Sequence, residues 1–218
     1  MLENYQQIIW DWNGTLLDDL DLGVQIAQQM CAQHHPAPVT KEIYQATFGF
    51  PIPEYYRKIG IDLNKQSFEE LTTFFVNNYD AQVHNCQLHS KVPALLKRLQ
   101  QQGIQQYILT AAYLDSVLEL LDHFNIRSYF QQVEGLQNHK AEGKVQRGVQ
   151  MMKDQQLDAA STVLIGDTHH DDEVAAAMGI DCILVAGGHQ SKERLIANSR
   201  GETRVIDSLQ DLVIGIRI

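Results

Sequence analysis

The sequence predicts an α/β fold, a parallel-sheet core with an α-helical cap subdomain inserted straight after the first strand. Three observations carry this expectation. Ile8-Ile9-Trp10 is a short apolar run that stops at Asp11-Trp12-Asn13-Gly14-Thr15, as a buried strand entering a polar loop does. Between about Leu17 and Cys86 only helical patterns occur, with no strand pattern among them. From Ser90 onward strands and helices alternate, the rhythm of a parallel sheet with right-handed crossovers.

Taken in order, Asp18-Asp19-Leu20-Asp21 puts acidic residues at the start of a helix whose apolar positions Leu22, Ile26 and Met30 recur every fourth residue. His35-Pro36-Ala37-Pro38 ends it. Thr40–Phe48 and Ile52–Ile59 read as two more helices, and Ser67-Phe68-Glu69-Glu70 is a capping box opening a helix with Leu71, Phe74, Phe75 and Tyr79 on one face. Val92, Leu95, Leu96 and Leu99 mark the next helix, with Pro93 in its first turn and Gly103 past its end. Ile104–Leu109 is a strand leading into Thr110-Ala111-Ala112, followed by the helical stripe Leu114, Val117, Leu118 and Leu121. Val133 and Gly135 mark a short strand, and Lys144 opens a helix through Val145, Val149 and Met152 that carries Gly148 at some cost. Thr162–Ile165 is the clearest strand, running into Gly166-Asp167-Thr168-His169-His170-Asp171-Asp172 and a helix that ends at Gly179; Cys182–Val185 and Arg204–Ile206 supply two more strands. Residues 1–17 and 87–218 are thus assigned to the core and 18–86 to the cap.

A chain of 218 residues has room for a core domain with a smaller insertion, and 44% hydrophobic with 20% charged residues is an ordinary globular composition. No apolar run approaches the roughly 20 residues that cross a bilayer. Met1-Leu2-Glu3-Asn4-Tyr5 lacks the basic and apolar parts of a signal peptide, so a cytoplasmic location is expected. Cys31, Cys86 and Cys182 are widely spaced, which fits reduced thiols better than disulfides or a metal site. The formal net charge of −10 argues against a nucleic-acid or anionic-membrane partner, and an anionic substrate needs local cations to offset it. No pattern fixes an oligomeric state.

Four segments share one grammar, a strand or loop entering a helix with polar groups at the junction: Asp11–Thr15, Thr110 with Ala111, Lys144, and Asp167–Asp172. In a parallel sheet such junctions lie on one edge and converge. Converging carboxylates repel unless a cation joins them, and oxygen ligands select a hard ion such as Mg²⁺. Lys144 and the Thr110 hydroxyl at a helix N-terminus, with free backbone N–H groups, suit a phosphate.

These motifs resemble those of the haloacid dehalogenase-like hydrolase superfamily, of the phosphoglycolate phosphatase-like kind with a helical cap and a Rossmann-like core. Asp11-Trp12-Asn13-Gly14-Thr15 matches the family's Asp-x-Asp-Gly-Thr, Thr110 its strand-closing Thr or Ser, and Gly166-Asp167-Thr168-His169-His170-Asp171 with Ala175 and Gly179 its last motif. For the motif lysine, Lys144 stands directly before a helix and is favoured over Lys140 in the preceding loop.

The resemblance implies a Mg²⁺-dependent phosphohydrolase acting on a small phosphorylated metabolite, with phosphoglycolate the family-level expectation. Asp11 then attacks phosphorus to give an aspartyl-phosphate. Asp11, the Asn13 carbonyl, Asp167 and Asp171 hold the metal, while Gly14, Thr15, Thr110, Ala111 and Lys144 bind the phosphoryl oxygens. Asn13 is the departure, since the family's phosphatases carry there an Asp that protonates the leaving alkoxide and activates water. Such help is worth roughly 10²–10⁴-fold, so the amide implies slow turnover, a preference for good leaving groups, or another proton donor such as His169, His170 or a cap residue. Alternatives are a phosphate-binding or regulatory module with weak or no turnover, and a phosphomutase.

Other polar features have plainer expectations. A His-ligated site at His169-His170 is disfavoured against Mg²⁺. Asp172 and Glu173 read as first-turn residues that favour the helix dipole. Gly187-Gly188-His189, after the Cys182 strand, lies on the same sheet edge within reach of the site but reads first as a flexible turn before the helix of Leu195, Asp18-Asp19-Asp21 and His34-His35 read as a solvated helix start and end, and Trp10 and Trp12 as core.

Overall fold

The computed structural model describes residues 2–32, 34, 38–137 and 143–213. Strand β1 (Gln7–Trp10) is followed by the short β2 (Leu17–Asp18) and by helices α1 (Leu20–Cys31), α2 (Lys41–Thr47), α3 (Ile52–Lys58) and α4 (Phe68–Asp80). Then come β3 (Gln87–Leu88), α5 (Val92–Gln101), β4 (Gln105–Tyr113), α6 (Leu114–His123), β5 (Gln132–Leu136), α7 (Lys144–Asp154) and β6 (Thr162–Gly166). The chain closes with α8 (His169–Met178), β7 (Asp181–Val185), α9 (Lys192–Asn198) and β8 (Arg204–Ile206).

A 6-stranded sheet runs in the order β5-β4-β1-β6-β7-β8 with every pairing parallel. Its central strands are apolar on both faces, as a sheet covered by helices on both sides requires. Because side chains alternate, Ile8, Trp10, Ile108, Val163 and Ile165 join one core cluster. Ile9, Tyr107, Leu109 and Leu164 join the other, against Met151 of α7 and Val174 and Met178 of α8. Trp10 and Trp12 are buried, as expected. The buried Gln106 is satisfied from both ends, accepting from Trp10 Nε1 at 3.2 Å and donating to the Leu96 carbonyl at 3.0 Å.

Two elements differ from the sequence expectation. Leu17–Asp18 is a strand, paired antiparallel with β3 in a ribbon that brackets α1 to α4. Two residues carry no periodicity, so the ribbon has no sequence signal. Strand β4 continues past Leu109 to Tyr113, through a register shift against β5. Thr110 is therefore a strand residue, and α6 begins only at Leu114.

The four helices between β2 and β3 form the cap. The Ser67/Glu70 capping box is present, with Glu70 Oε2 accepting from the Ser67 N–H at 2.8 Å. An aromatic seam joins α2 to α3: Tyr44 stacks on Phe48, and Tyr55 meets both edge-on. The cap rests on the core at the loop after β7. Gln45 Nε2 donates to the Gly188 carbonyl at 2.8 Å, and the Phe48 carbonyl accepts from Gln190 Nε2 at 2.9 Å and from Arg194. No helix among the described residues is long and apolar enough to cross a membrane. Residues 35–37 of the helix-ending His35-Pro36-Ala37-Pro38 lie outside the described residues.

Asp172 lies in the first turn of α8, as expected, and has a second role. It is buried and accepts from the Arg200 N–H at 2.7 Å, Arg200 Nε at 2.9 Å and Thr203 Oγ1 at 2.5 Å, tying the start of α8 to the segment entering β8. Replacing Asp172 with Ala strands these donors, and hydrogen bonds to a charged group are worth about 1.5–3 kcal/mol. Thermal unfolding of Asp172→Ala is expected about 5 °C below the parent, and an unchanged midpoint would remove the tether from the fold's stability.

Candidate active site

The site is built where β4, β1 and β6 lie side by side, so the residues that follow them meet at one sheet edge. Asp11 directly follows β1, and its N–H donates to the Ile165 carbonyl of β6 at 2.8 Å. Thr110 belongs to β4, is buried, and accepts at Oγ1 from the Ala112 N–H at 3.0 Å. Asp167 follows β6, and Asp171 lies in the first turn of α8, where it accepts from the Thr168 N–H at 3.0 Å and Thr168 Oγ1 at 2.7 Å.

Ligand oxygens of Asp11, Asp167 and Asp171 lie within 4.8 Å of one another, all three residues being buried. Lys144, the first residue of α7, reaches into this group. Its ammonium donates to Asp11 Oδ1 and to Asp171 Oδ1, each at 2.5 Å, with only 5% of its side chain exposed. Burial pushes the Asp11 and Asp167 carboxyls up, while Lys144 pulls Asp11 back. At Asp171 burial is outweighed by the Lys144 charge and the Thr168 hydrogen bonds, so its carboxyl is held low. Burial lowers the Lys144 ammonium, but the two carboxylates outweigh that and raise it.

A second buried network adjoins the first. Asp19 Oδ1 accepts from the Gly14 N–H at 2.8 Å and meets His189 Nε2 at 3.2 Å; its Oδ2 accepts from Asn13 Nδ2 at 2.8 Å and the Tyr79 hydroxyl at 2.7 Å. Asn13 Nδ2 also donates to the Tyr79 oxygen at 2.6 Å, so the amide is pinned between the cap and Asp19. The His189 N–H donates to Asp167 Oδ2 at 2.6 Å, and His189 Nδ1 lies 3.0 Å from the Tyr44 hydroxyl. Burial lowers the His189 imidazole, but Asp19 and Asp167 more than offset it and carry it to about 9. Burial raises Asp19, yet His189, Tyr79 and Asn13 hold it below its ordinary value. Both shifts favour the charged pair, an Asp19 carboxylate facing a His189 imidazolium.

Both were expected elsewhere. Asp19 sits in an acidic run that reads as a solvated helix start, and His189 in a glycine turn. Gly14 at φ +73° and Gly188 explain the loop chemistry better: a Cβ on either would lie 2.3 Å from Asp167 Oδ2. They are glycines so that two loops can close on one carboxylate. The placement of the His189 loop on the same sheet edge is the signal that pointed to it.

The remaining candidates fall as follows. The Gly14 N–H already serves Asp19 and the Leu17 carbonyl, and the Thr15 hydroxyl donates to Asp167 Oδ1 at 3.2 Å, so both shape the carboxylate frame. Ala111 lines the cavity beside Thr110. His170 also lines it and contacts Glu173, whereas His169 pairs with Gln190. Among the described residues no His joins the candidate ligand cluster. Lys140 lies outside the described residues.

Buried oxygen donors of this kind fit a hard divalent cation. Asp11, Asp19, Asp167 and Asp171 carry four negative charges when ionised, against the two positive charges of Lys144 and His189, and the balance of two matches such an ion. Over this floor stands a cavity of about 430 Å³, walled by the cap.

The family model described as haloacid dehalogenase-like hydrolase matches residues 8–185. Tyrosine-protein kinase PtkA of Mycobacterium tuberculosis is 27% identical over 190 residues, covering 86% of this chain but only 64% of that longer protein. Phosphoglycolate phosphatase of Pseudomonas fluorescens is 25% identical over 217 residues, covering 95% of this chain and 78% of the relative. A haloacid dehalogenase-like hydrolase from Streptococcus pneumoniae superposes with a TM-score of 0.78 at 22% identity, covering 97% of this chain and 98% of the other. With the match to the family model spanning most of its length, the chain belongs to the haloacid dehalogenase-like hydrolases.

Proposed function

We propose that the protein is a Mg²⁺-dependent phosphohydrolase of small phosphomonoesters that works through an aspartyl-phosphate on Asp11. The observation that carries this reading is the buried group at the end of β1, where Asp11 is held by Lys144 beside Asp167 and Asp171. Asp11, Asp167 and Asp171, with the Asn13 carbonyl, are the residues that would hold Mg²⁺. When bound, the ion would neutralise charge on the phosphoryl oxygens and on the carboxylates.

Asp11 is the nucleophile. Its free oxygen attacks phosphorus, the ester oxygen leaves, and water then cleaves the acyl phosphate to release inorganic phosphate and restore the carboxylate. Lys144 fixes the attacking carboxylate and, with the Thr110 hydroxyl and the backbone at Ala111, receives the phosphoryl oxygens. Asn13 holds a place in the cap contact but donates no exchangeable acid proton, and the imidazolium of His189 has both ring nitrogens engaged by Asp19 and Tyr44. Of the other candidate donors, His169 pairs with Gln190 and His170 is drawn to Glu173, so the leaving group departs with little protonic help. A regulatory module with a silent site is the second reading, and Asn13 is the observation that favours it.

Three outcomes follow. Asp11→Asn is expected to lower phosphate release at least about 10⁴-fold while keeping a native melting profile; retained turnover would rule out the nucleophile assignment. Mg²⁺ at about 100 times its dissociation constant is expected to stabilise the fold by about 2.7 kcal/mol, reversed by EDTA and absent in Asp167→Asn. Calorimetric melting with and without the ion reads this.

Asn13→Asp alone sets a second carboxylate against Asp19 and is expected to cost about 1–3 kcal/mol in chemical denaturation. Combining it with Asp19→Asn returns a donor to that contact. The double variant is expected to regain most of the stability and to hydrolyse an alkyl phosphate about 10²-fold faster than the parent. Equal stability of single and double variants would show that the contact is unimportant.

A further inference from the structure

The cavity over Asp11 is lined on the cap side by Tyr44, Phe48, Phe50, Tyr55, Phe75 and Tyr79, with further aliphatic residues between them. The Tyr44 and Tyr79 hydroxyls are committed to His189 and Asp19, which leaves the buried, unpartnered Tyr55 hydroxyl as a polar group of this aromatic wall with capacity for a ligand. The cap contributes no Lys, Arg or His among the described residues that line the cavity, and the charges it does contribute, Asp19 and Asp80, are acidic. A substrate whose leaving group carries its own carboxylate, such as phosphoglycolate, would meet apolar rings and acidic groups on the cap side, and the His189 imidazolium on the core side is already paired with Asp19. The volume of about 430 Å³ is of the size that encloses a ring system and exceeds what a two-carbon acid fills.

The chemistry of the floor points the same way by a separate route. With an amide at Asn13, the leaving oxygen must depart largely as an anion. A phenol ionises near pH 10, as tyrosine does, whereas an alkanol resembles water at about 16. Loss of the acid therefore handicaps alkyl esters far more than aryl esters.

Building on the phosphohydrolase reading above, we propose that this site is specific for small aryl phosphate monoesters, the ring seated in the aromatic cap cavity and a phenolate leaving from phosphorus. In the transfer, the Asp11 oxygen forms a bond to phosphorus as the phosphorus–phenolate bond breaks. The phenolate takes its proton from solvent, and water then hydrolyses the acyl phosphate.

The test uses phenyl phosphate, benzyl phosphate, glycerol phosphate and phosphoglycolate with Mg²⁺. Calorimetric binding to Asp11→Asn reports the cavity alone: both aromatic esters are expected to bind at least about tenfold more tightly than phosphoglycolate. Turnover by the parent protein reports the leaving group: phenyl phosphate is expected to react about 10²-fold faster than benzyl or glycerol phosphate. Thr72→Arg places a cation on the α4 wall of the cavity and is expected to narrow the phenyl-to-phosphoglycolate binding ratio at least about tenfold.

Phosphoglycolate binding as tightly as benzyl phosphate, or reacting as fast as phenyl phosphate, overturns the proposal. Failure of all four esters to release phosphate, with the aromatic binding preference intact, overturns the phosphohydrolase reading and leaves the cavity assignment standing.

Discussion

Everything at the site depends on one ammonium group held between two carboxylates. Lys144 reaches Asp11 and Asp171 from the first residue of α7, and without it three buried acids would face one another in a region of low dielectric. The parallel sheet brings the acids together; the crossover helix brings the cation. Neither element is useful at this place without the other, which is why the core is assembled from β1, β4 and β6 as neighbours with α7 delivered onto their edge. The interaction is also directional, because Asp171 spends one oxygen on Thr168 and the other on Lys144.

Much of this was legible in the sequence. Asp11, Thr110, Lys144, Asp167 and Asp171 stand at or near the ends of apolar runs or the starts of helical stripes, and the convergence of such junctions follows from parallel topology alone. What remained hidden has physical reasons. Asp19 and Asp172 occupy helix starts where an acid is favourable whether it is solvated or buried, so their local sequence says nothing of burial. Asp172 finds its partner Arg200 only when β8 is folded beside β7. His189 follows two glycines, a pattern shared by mobile turns and by loops that must pass close to another chain segment. Thr110 lies in a strand, as its motif implies, but not at a helix N-terminus, because β4 outlasts its apolar run and α6 opens only at Leu114.

The departure at Asn13 is compensated locally rather than left open. In place of a carboxyl there is an amide whose two hydrogens serve Asp19 and Tyr79, and Asp19 in turn receives His189 and the Gly14 N–H. The negative charge absent from residue 13 is found on residue 19, paired with an imidazolium. The amide removes a proton donor from the floor, and its contact with Tyr79 links the floor directly to α4 of the cap.

The loop from Gly188 to Arg194 has a consequence of its own. It carries the N–H that binds Asp167, the imidazolium that binds Asp19, the Gly188 carbonyl that accepts from Gln45 and the Gln190 side chain that donates to the Phe48 carbonyl of the cap. Lifting α2 from that loop would wet His189 and strip it of Tyr44 at the same time. The contacts that seat the cap and the contacts that position two floor carboxylates are thus carried by one loop, so a change in that loop is felt at both places.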